Sequence, residues 1–303
     1  MAITCPPLPR ILELLENKRR LAIEAYKYDQ ERRRFVFDVS PIVAEASRMF
    51  GKLQLVDESI EPDETAYRSI LYTLPGLYAC MHMEFKRRGI LKNEVFALEG
   101  AGGSGKSTIA YWLVRWLGGL MITPTDDVVK VFRDILKERL WFPIIVLDDI
   151  ASVVSKYWIF DRGERAKWMA FFRALEYVRD VTGVLLMTAR SFSGIAKKLR
   201  EMATLVGVVK RIVVADMYII DVIIWRKSDM PRSSRPDFID VVWPGIKIPE
   251  EEFEEQLEKR RKMALSILES IGGRRKKGGS GEEDGEEEDV EVDLVEGGED
   301  EAG

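Results

Sequence analysis

The chain has 303 residues, 46% hydrophobic and 32% charged, which is enough for a full core in one main domain with attachments or in two small domains. Its formal net charge of −5 hides a division: residues 281–303 hold 13 acidic and no basic residues, leaving 38 acidic against 46 basic over residues 1–280, a net of +8. No apolar run reaches transmembrane length, prolines break the start where a signal peptide would lie, and Cys5, Cys80 and His82 are too few and too scattered for a disulfide framework or a Cys/His zinc site, so a cytoplasmic protein without a membrane partner is expected.

The charge asymmetry predicts a basic body that meets a polyanion and an acidic tail that solubilises it or competes for the same surface. Asparagine occurs only at 17 and 93 and glutamine only at 30, 54 and 256, a scarcity of amides typical of hyperthermophile proteins.

In chain order, residues 10–34 mix apolar Ile11, Leu12, Leu14, Leu15, Leu21, Ile23 and Tyr26 with many charges and predict an amphipathic helix. Its cluster Arg32-Arg33-Arg34 is either a phosphate contact or a solvated face. Arg34 to Val39 reads as a short strand, Pro41 to Phe50 as a helix closed by Gly51, and Asp63 to Arg88 as a helical stretch interrupted at Pro75-Gly76. Residues 1–90 are therefore expected to form a mainly helical N-terminal attachment.

From Val95 strands and helices alternate. Strands Val95–Leu98, Leu120–Thr123, Ile144–Asp148, Val184–Thr188 and Lys210–Val214 are separated by helices over 106–117, 126–139, 165–179 and 194–202. These strands are too apolar to have a wet face, so the fold class is α/β: a mainly parallel sheet covered by helices, with ligand at the carboxyl ends of its strands. Val208–Val214 and Met217–Trp225 predict an antiparallel hairpin turning at Ala215-Asp216. Pro231–Pro236 reads as a loop, Phe238–Trp243 as a short strand and Pro249–Ile271 as a charged helix. The expected domains are a P-loop core over 91–227, a C-terminal extension with a helix over 228–273, and a disordered tail over 274–303, first basic and then acidic.

The chemistry centres on residues 100–107, Gly100-Ala101-Gly102-Gly103-Ser104-Gly105-Lys106-Ser107, which fit the phosphate-binding pattern GxxxxGK[ST] between a strand and a helix. Its glycines let the backbone aim N–H groups at a β-phosphate, Lys106 supplies charge for the β- and γ-phosphates, and the Ser107 hydroxyl is a ligand for Mg²⁺. Thr108 opens the helix whose N-terminus faces the anion. The run Ile144-Ile145-Val146-Leu147 ends in Asp148-Asp149, the form of a Walker B strand. Asp148 is expected to hold Mg²⁺ and Asp149 to polarise the attacking water. On the next strand, Thr188 is a candidate to orient water or sense the γ-phosphate, or else a capping hydroxyl. Arg190, with Arg200 and Arg211, is a candidate to neutralise transition-state charge. Asp126-Asp127 reads as a helix start. Trp112, Trp116, Trp141, Trp158 and Trp168 are expected to pack in cores rather than stack on bases.

The order of the P-loop, the Thr-Pro-Thr-Asp-Asp stretch, the IIVLDDI strand and VLLMTAR resembles the additional-strand class of P-loop ATPases. It is most similar to the AAA+ branch with DnaC-type helicase loaders and IstB-type transposition helpers, and its C-terminal hairpin and single helix look more like an ATPase of an archaeal plasmid or virus than a housekeeping loader. The resemblance covers about residues 93–205 and implies ATP hydrolysis coupled to homo-oligomerisation and work on DNA or a DNA-bound protein, with Lys106, Ser107, Asp148 and Thr188 on matching motif positions. Ala189 stands where that family carries its sensor asparagine, and no helical lid follows the sheet. Two other readings remain, a nucleotide kinase and an ATP-gated interaction switch.

Overall fold

The computed structural model describes residues 4–51, 62–123, 127–153, 162–194, 197–214, 218–227, 235–255, 257–259, 261–262 and 265. The tail expected over 274–303, Asp126, Trp158 and the hairpin turn at Ala215-Asp216 lie outside them, as does most of the loop over 231–236. Residues 1–260 form one compact unit and 261–303 a second, of which only three helical residues are described.

The first unit begins with α1 (Leu8–Ala25), a two-stranded antiparallel hairpin of β1 (Tyr26–Asp29) and β2 (Arg34–Phe37), and α2 (Ser40–Phe50). The helix predicted over 10–34 thus ends nine residues early. Tyr26 and Tyr28 alternate with polar residues, which favours extended chain, and Asp29 Oδ1 accepts from the backbone N–H groups of Glu31 and Arg32 to form the turn. Next come α3 (Glu64–Leu71), capped by Asp63 through Ala66 N, and α4 (Leu74–Arg87). The break falls at Tyr72-Thr73 rather than at Pro75-Gly76, because Pro75 sits in the first turn of α4, where it has no helical hydrogen bond to lose.

The alternating part supplies β3 (Glu94–Glu99), α5 (Lys106–Leu117), β4 (Leu120–Ile122), α6 (Val128–Lys137), β5 (Phe142–Leu147), α7 (Ile150–Val153), α8 (Arg162–Ala174), β6 (Thr182–Ala189), α9 (Lys197–Met202), β7 (Leu205–Val214), β8 (Tyr218–Lys227) and β9 (Phe238–Val242). The strands form one seven-stranded sheet in the order β4-β5-β6-β3-β7-β8-β9, parallel from β4 to β7 and antiparallel from β7 to β9.

Period-two alternation divides the sheet residues between two cores. Phe96, Leu98, Ile144, Val146, Val184 and Leu186 pack with residues of α1, α3, α4 and α5. Val95, Ala97, Ile145, Leu147, Leu185 and Met187 pack with α6 and α8 on the other face. A third cluster joins Leu21 and Ala25 of α1 and Ile42 and Ala46 of α2 to Ile220, Val222 and Ile224 of β8 and Ile239 and Val241 of β9. Across the antiparallel part, Gly207 faces Trp225, whose ring lies 2.7 Å from where a Cβ would be, so glycine admits the indole.

Two polar links hold the N-terminal helices to this sheet. The fully buried Asp240 carboxylate accepts from Trp225 Nε1 of β8 and, at 2.9 Å, from Leu74 N of α4, and it pairs with Lys18 Nζ of α1 at 2.7 Å. Cys5 and Cys80 form a disulfide with Cα atoms 5.6 Å apart. This corrects the expectation from sequence: the two cysteines are 75 positions apart, but the fold brings the segment before α1 onto α4. Among the described residues no helix is long and apolar enough to cross a membrane. Three of the tryptophans are placed by packing: Trp112 and Trp116 stack at 5.1 Å, and Trp168 is buried.

Candidate active site

The sheet register builds the site. β6 lies between β3 and β5, with Leu98 opposite Thr188 and Leu147 opposite Met187, so Glu99, Asp148 and Thr188 emerge side by side at the carboxyl ends of three neighbouring strands. The loop from Gly100 to Gly105 leaves β3 there and enters α5.

Gly103 and Gly105 have φ of 75° and 89°, in the left-handed region, with open space where a side chain would stand. Such a loop can turn its N–H groups inward around an anion without steric cost. Ser104 N donates to Ala101 O at 3.2 Å, and Ile109 N to Gly105 O at 2.9 Å, which starts the helix. Lys106 Nζ reaches back across the loop to donate to Gly100 O at 2.7 Å, Ala101 O at 2.9 Å and Ser104 Oγ at 3.2 Å. Burial lowers the Lys106 pKa below the ordinary lysine value; the carboxylates of Asp148 and Asp149 oppose that shift and the charge of Arg190 adds to it.

One hydrogen-bonded chain joins four more of the expected residues. Ser107 Oγ donates to Asp148 Oδ1 at 2.9 Å, Thr188 Oγ1 donates to the same oxygen at 2.6 Å, and Asp149 N donates to Thr188 Oγ1 at 2.8 Å. Asp148 is 1% exposed, and its own N–H is bonded to Ile122 O of β4. Asp149 has φ of 46°, a left-handed conformation that aspartate tolerates better than most residues and that turns the chain sharply after β5. The hydroxyl hydrogen of Thr188 is directed at Asp148, so this side chain positions the acid pair.

Arg190 follows directly. Its Nη2 lies 3.4 Å from where a Gly102 Cβ would be, over the phosphate loop. Arg211 is instead paired with Asp221 across the β7–β8 hairpin, at 2.9 and 3.3 Å, and Arg200 lies on α9. Of the three arginines, Arg190 is the one set against the loop. Asp127 caps α6 through Lys130 N at 3.2 Å, as expected of a helix start.

Two contributors escape the reading of the sequence. Glu99, 8% exposed at the end of β3, accepts from Phe192 N at 2.9 Å, which ties the strand before the loop to the turn carrying Arg190. An acid closing an otherwise apolar strand is the available signal. On α5, Tyr111 donates to Glu252 and Arg115 bonds both, so residues near 252 are anchored to the helix that follows the loop. Burial, reinforced by the Glu252 carboxylate, pushes the Tyr111 pKa up to about 12.

The residues fit a nucleoside triphosphate with a divalent ion. The loop is an open anion cradle, and Ser107 Oγ and Asp148 are hard oxygen donors already 2.9 Å apart, the ligand chemistry that Mg²⁺ takes alongside phosphate oxygens.

These features define the class: an α/β P-loop fold of the additional-strand arrangement, in which β6 stands between the P-loop strand and the strand ending in the acid pair. No family model and no curated protein matches the sequence. Among solved structures, the chain is similar in part to the Thermotoga maritima RuvB Holliday junction branch migration motor, at 16% identity and a TM-score of 0.32 over 45% of this chain and 44% of that one. It is similar also to C. elegans PCH-2, at 17% identity and a TM-score of 0.34 over 56% of this chain and 47% of that one. Each match spans less than half of the other protein, and neither is close enough to assign a function.

Proposed function

We propose that this chain is a Mg²⁺-dependent ATPase whose hydrolysis remodels or loads a DNA-bound assembly. The observation that carries the enzymatic part is the chain from Ser107 through Asp148 and Thr188 to the backbone of Asp149, built beside an open glycine loop. Ser107 and Asp148 would hold the metal, which supplies charge neutralisation between the β- and γ-phosphates when bound. Lys106 would exchange its bonds with loop carbonyls for phosphate oxygens. Asp149, turned out of the strand by its left-handed backbone, would accept a proton from the attacking water, and Arg190 would stabilise charge growing on the transferred group.

The DNA-directed part is supported by the net charge of +8 on residues 1–280 and by the resemblance of the motif series to helicase loaders. A cytoplasmic homo-oligomer accords with the same reading.

The test is ATP turnover with and without DNA, together with solution mass in the presence of a non-hydrolysable ATP analogue. Turnover that DNA stimulates in an oligomer is the expected result, with Lys106→Ala losing nucleotide binding and Asp149→Asn retaining ATP but turning it over about 10²- to 10⁴-fold more slowly. Transfer of phosphate to a nucleoside monophosphate would instead identify a kinase. Binding without turnover, indifferent to Asp149→Asn, would identify an ATP-gated switch.

A further inference from the structure

The β1–β2 hairpin stands outside the seven-stranded sheet, and its composition is unusual for a solvent-exposed ribbon. Its register pairs Tyr26 with Phe37 and Tyr28 with Phe35, so the alternation of strands puts all four rings on one face, with Lys27, Asp29, Arg34 and Val36 on the other. At the base, Tyr26 is 8% exposed and belongs to the cluster formed with α1, α2, β8 and β9. Its partner at the base, Phe37, is 37% exposed; nearer the tip Tyr28 is 54% exposed and Phe35 half-buried. Tyr28 and Phe35 meet edge to face with centroids 5.3 Å apart and planes at 69°, an arrangement that leaves ring surface turned outward.

The tip carries a small net positive charge, Arg32, Arg33 and Arg34 against Asp29 and Glu31. Asp29 is occupied in forming the turn and holds Arg32 at 3.6 Å. Arg33, held in the left-handed region with φ of 48°, and Arg34 are exposed and have no carboxylate partner among the described residues. Aromatic surface with unpaired guanidinium groups beside it is the combination that binds single-stranded nucleic acid, whose bases offer π-faces at every position and whose phosphates run alongside. A duplex hides those faces in its own stack.

We propose that the β1–β2 hairpin is a platform for a single strand of nucleic acid, with bases against Tyr28 and Phe35 on the ring face and phosphates passing over the tip, where Arg33 and, on the opposite face, Arg34 stand. The proposal sharpens the DNA-directed reading above but stands on other residues, and hairpin variants leave ATP turnover measured without DNA unchanged.

The experiment uses the full chain and a fluorescein-labelled thymidine oligomer of about 20 nucleotides, with anisotropy followed over a range of salt. Tyr28→Ala should weaken binding by about 5- to 100-fold, while Tyr28→Phe, which keeps the ring, should bind like the parent protein. Arg33→Ala combined with Arg34→Ala should reduce the slope of log affinity against log salt by about 0.7 for each phosphate no longer neutralised. The proposal is overturned if the parent protein does not bind the oligomer at low salt, if a duplex of equal length competes as well as the single strand, or if Tyr28→Ala and the double arginine variant leave affinity unchanged. It is overturned also if Tyr28→Ala lowers the solution mass while affinity holds, since the rings would then serve contact between copies of the chain. Failure of the ATPase reading would appear separately, as absent turnover in a protein that still binds the strand.

Discussion

Opening the Cys5–Cys80 bond is the perturbation whose magnitude follows most directly from the fold. The bond closes a loop across a sequence separation of 75 residues, so it removes from the unfolded chain every conformation in which those ends lie apart. In the chain-entropy treatment a loop of this length corresponds to about 15 cal/mol/K, or about 4.5 kcal/mol at 25 °C. Other contacts hold the elements the bond joins: Cys80 is buried within α4, and α1, which follows Cys5, is held by Lys18 to Asp240. Reduction should therefore leave the fold intact and lower its stability. The assay is urea unfolding of the oxidised protein, the protein reduced by a phosphine, and Cys5→Ala. The last two should coincide, lie about 4 kcal/mol below the first and melt roughly 6 to 9 °C lower. They should also have the steeper denaturant dependence, because an uncrosslinked unfolded chain exposes more surface. A difference below about 1 kcal/mol between the oxidised protein and Cys5→Ala would refute the reasoning, because it would mean the unfolded chain already keeps residues 5 and 80 together.

Three further outcomes are expected. Asp240→Ala should cost about 3–5 kcal/mol in urea unfolding, because it strands the largely buried Lys18 ammonium together with Trp225 Nε1 and Leu74 N; adding Lys18→Met should recover part of the loss. Burial, aided by the charge of Lys92, lowers the His82 pKa from 6.5 to about 4, so the unfolded chain takes up a proton before the folded one does. Stability should be fully present above pH 6.5 and fall as the pH drops towards 4, by up to about 3 kcal/mol, and His82→Leu should flatten that part of the pH–stability curve. At Asp149, with φ of 46°, Asn should be tolerated within about 0.5 kcal/mol, whereas Val should cost about 1–2 kcal/mol or more in thermal unfolding, since a β-branched side chain clashes in the left-handed region.

The P-loop half of the molecule is legible in the sequence because its signals are local. Apolar runs such as Ile144–Leu147 and Val184–Met187 have the length of buried strands, and the glycine loop falls between a strand and a helix. Once β6 is placed between β3 and β5, the meeting of Asp148 with Thr188 follows from register. The features that escape depend on neighbours distant in sequence. Tyr26-Lys27-Tyr28 continues a helical charge pattern, and only pairing with Arg34–Phe37 makes it a strand. Pro75 reads equally as a helix break or a first-turn residue, and the chain leading into α4 decides between them. Nothing in the spacing of Cys5 and Cys80 shows that α4 lies beside the segment preceding α1. Glu99 gains its role from a backbone amide 93 positions away.

The sheet has one face covered mostly by helices that precede the phosphate loop in sequence: Phe96, Leu98, Ile144, Val146, Val184 and Leu186 are all roofed by α1, α3, α4 and α5. Three of those four helices are made before the strands they cover. A ribosome therefore releases the lid of this protein ahead of its base, and until β5 and β6 emerge the apolar sides of α1, α3 and α4 have no sheet to rest on. During synthesis those helices must shelter one another or be sheltered by a chaperone, and gene fusions that exchange the first 90 residues would leave this face of the sheet to α5 alone.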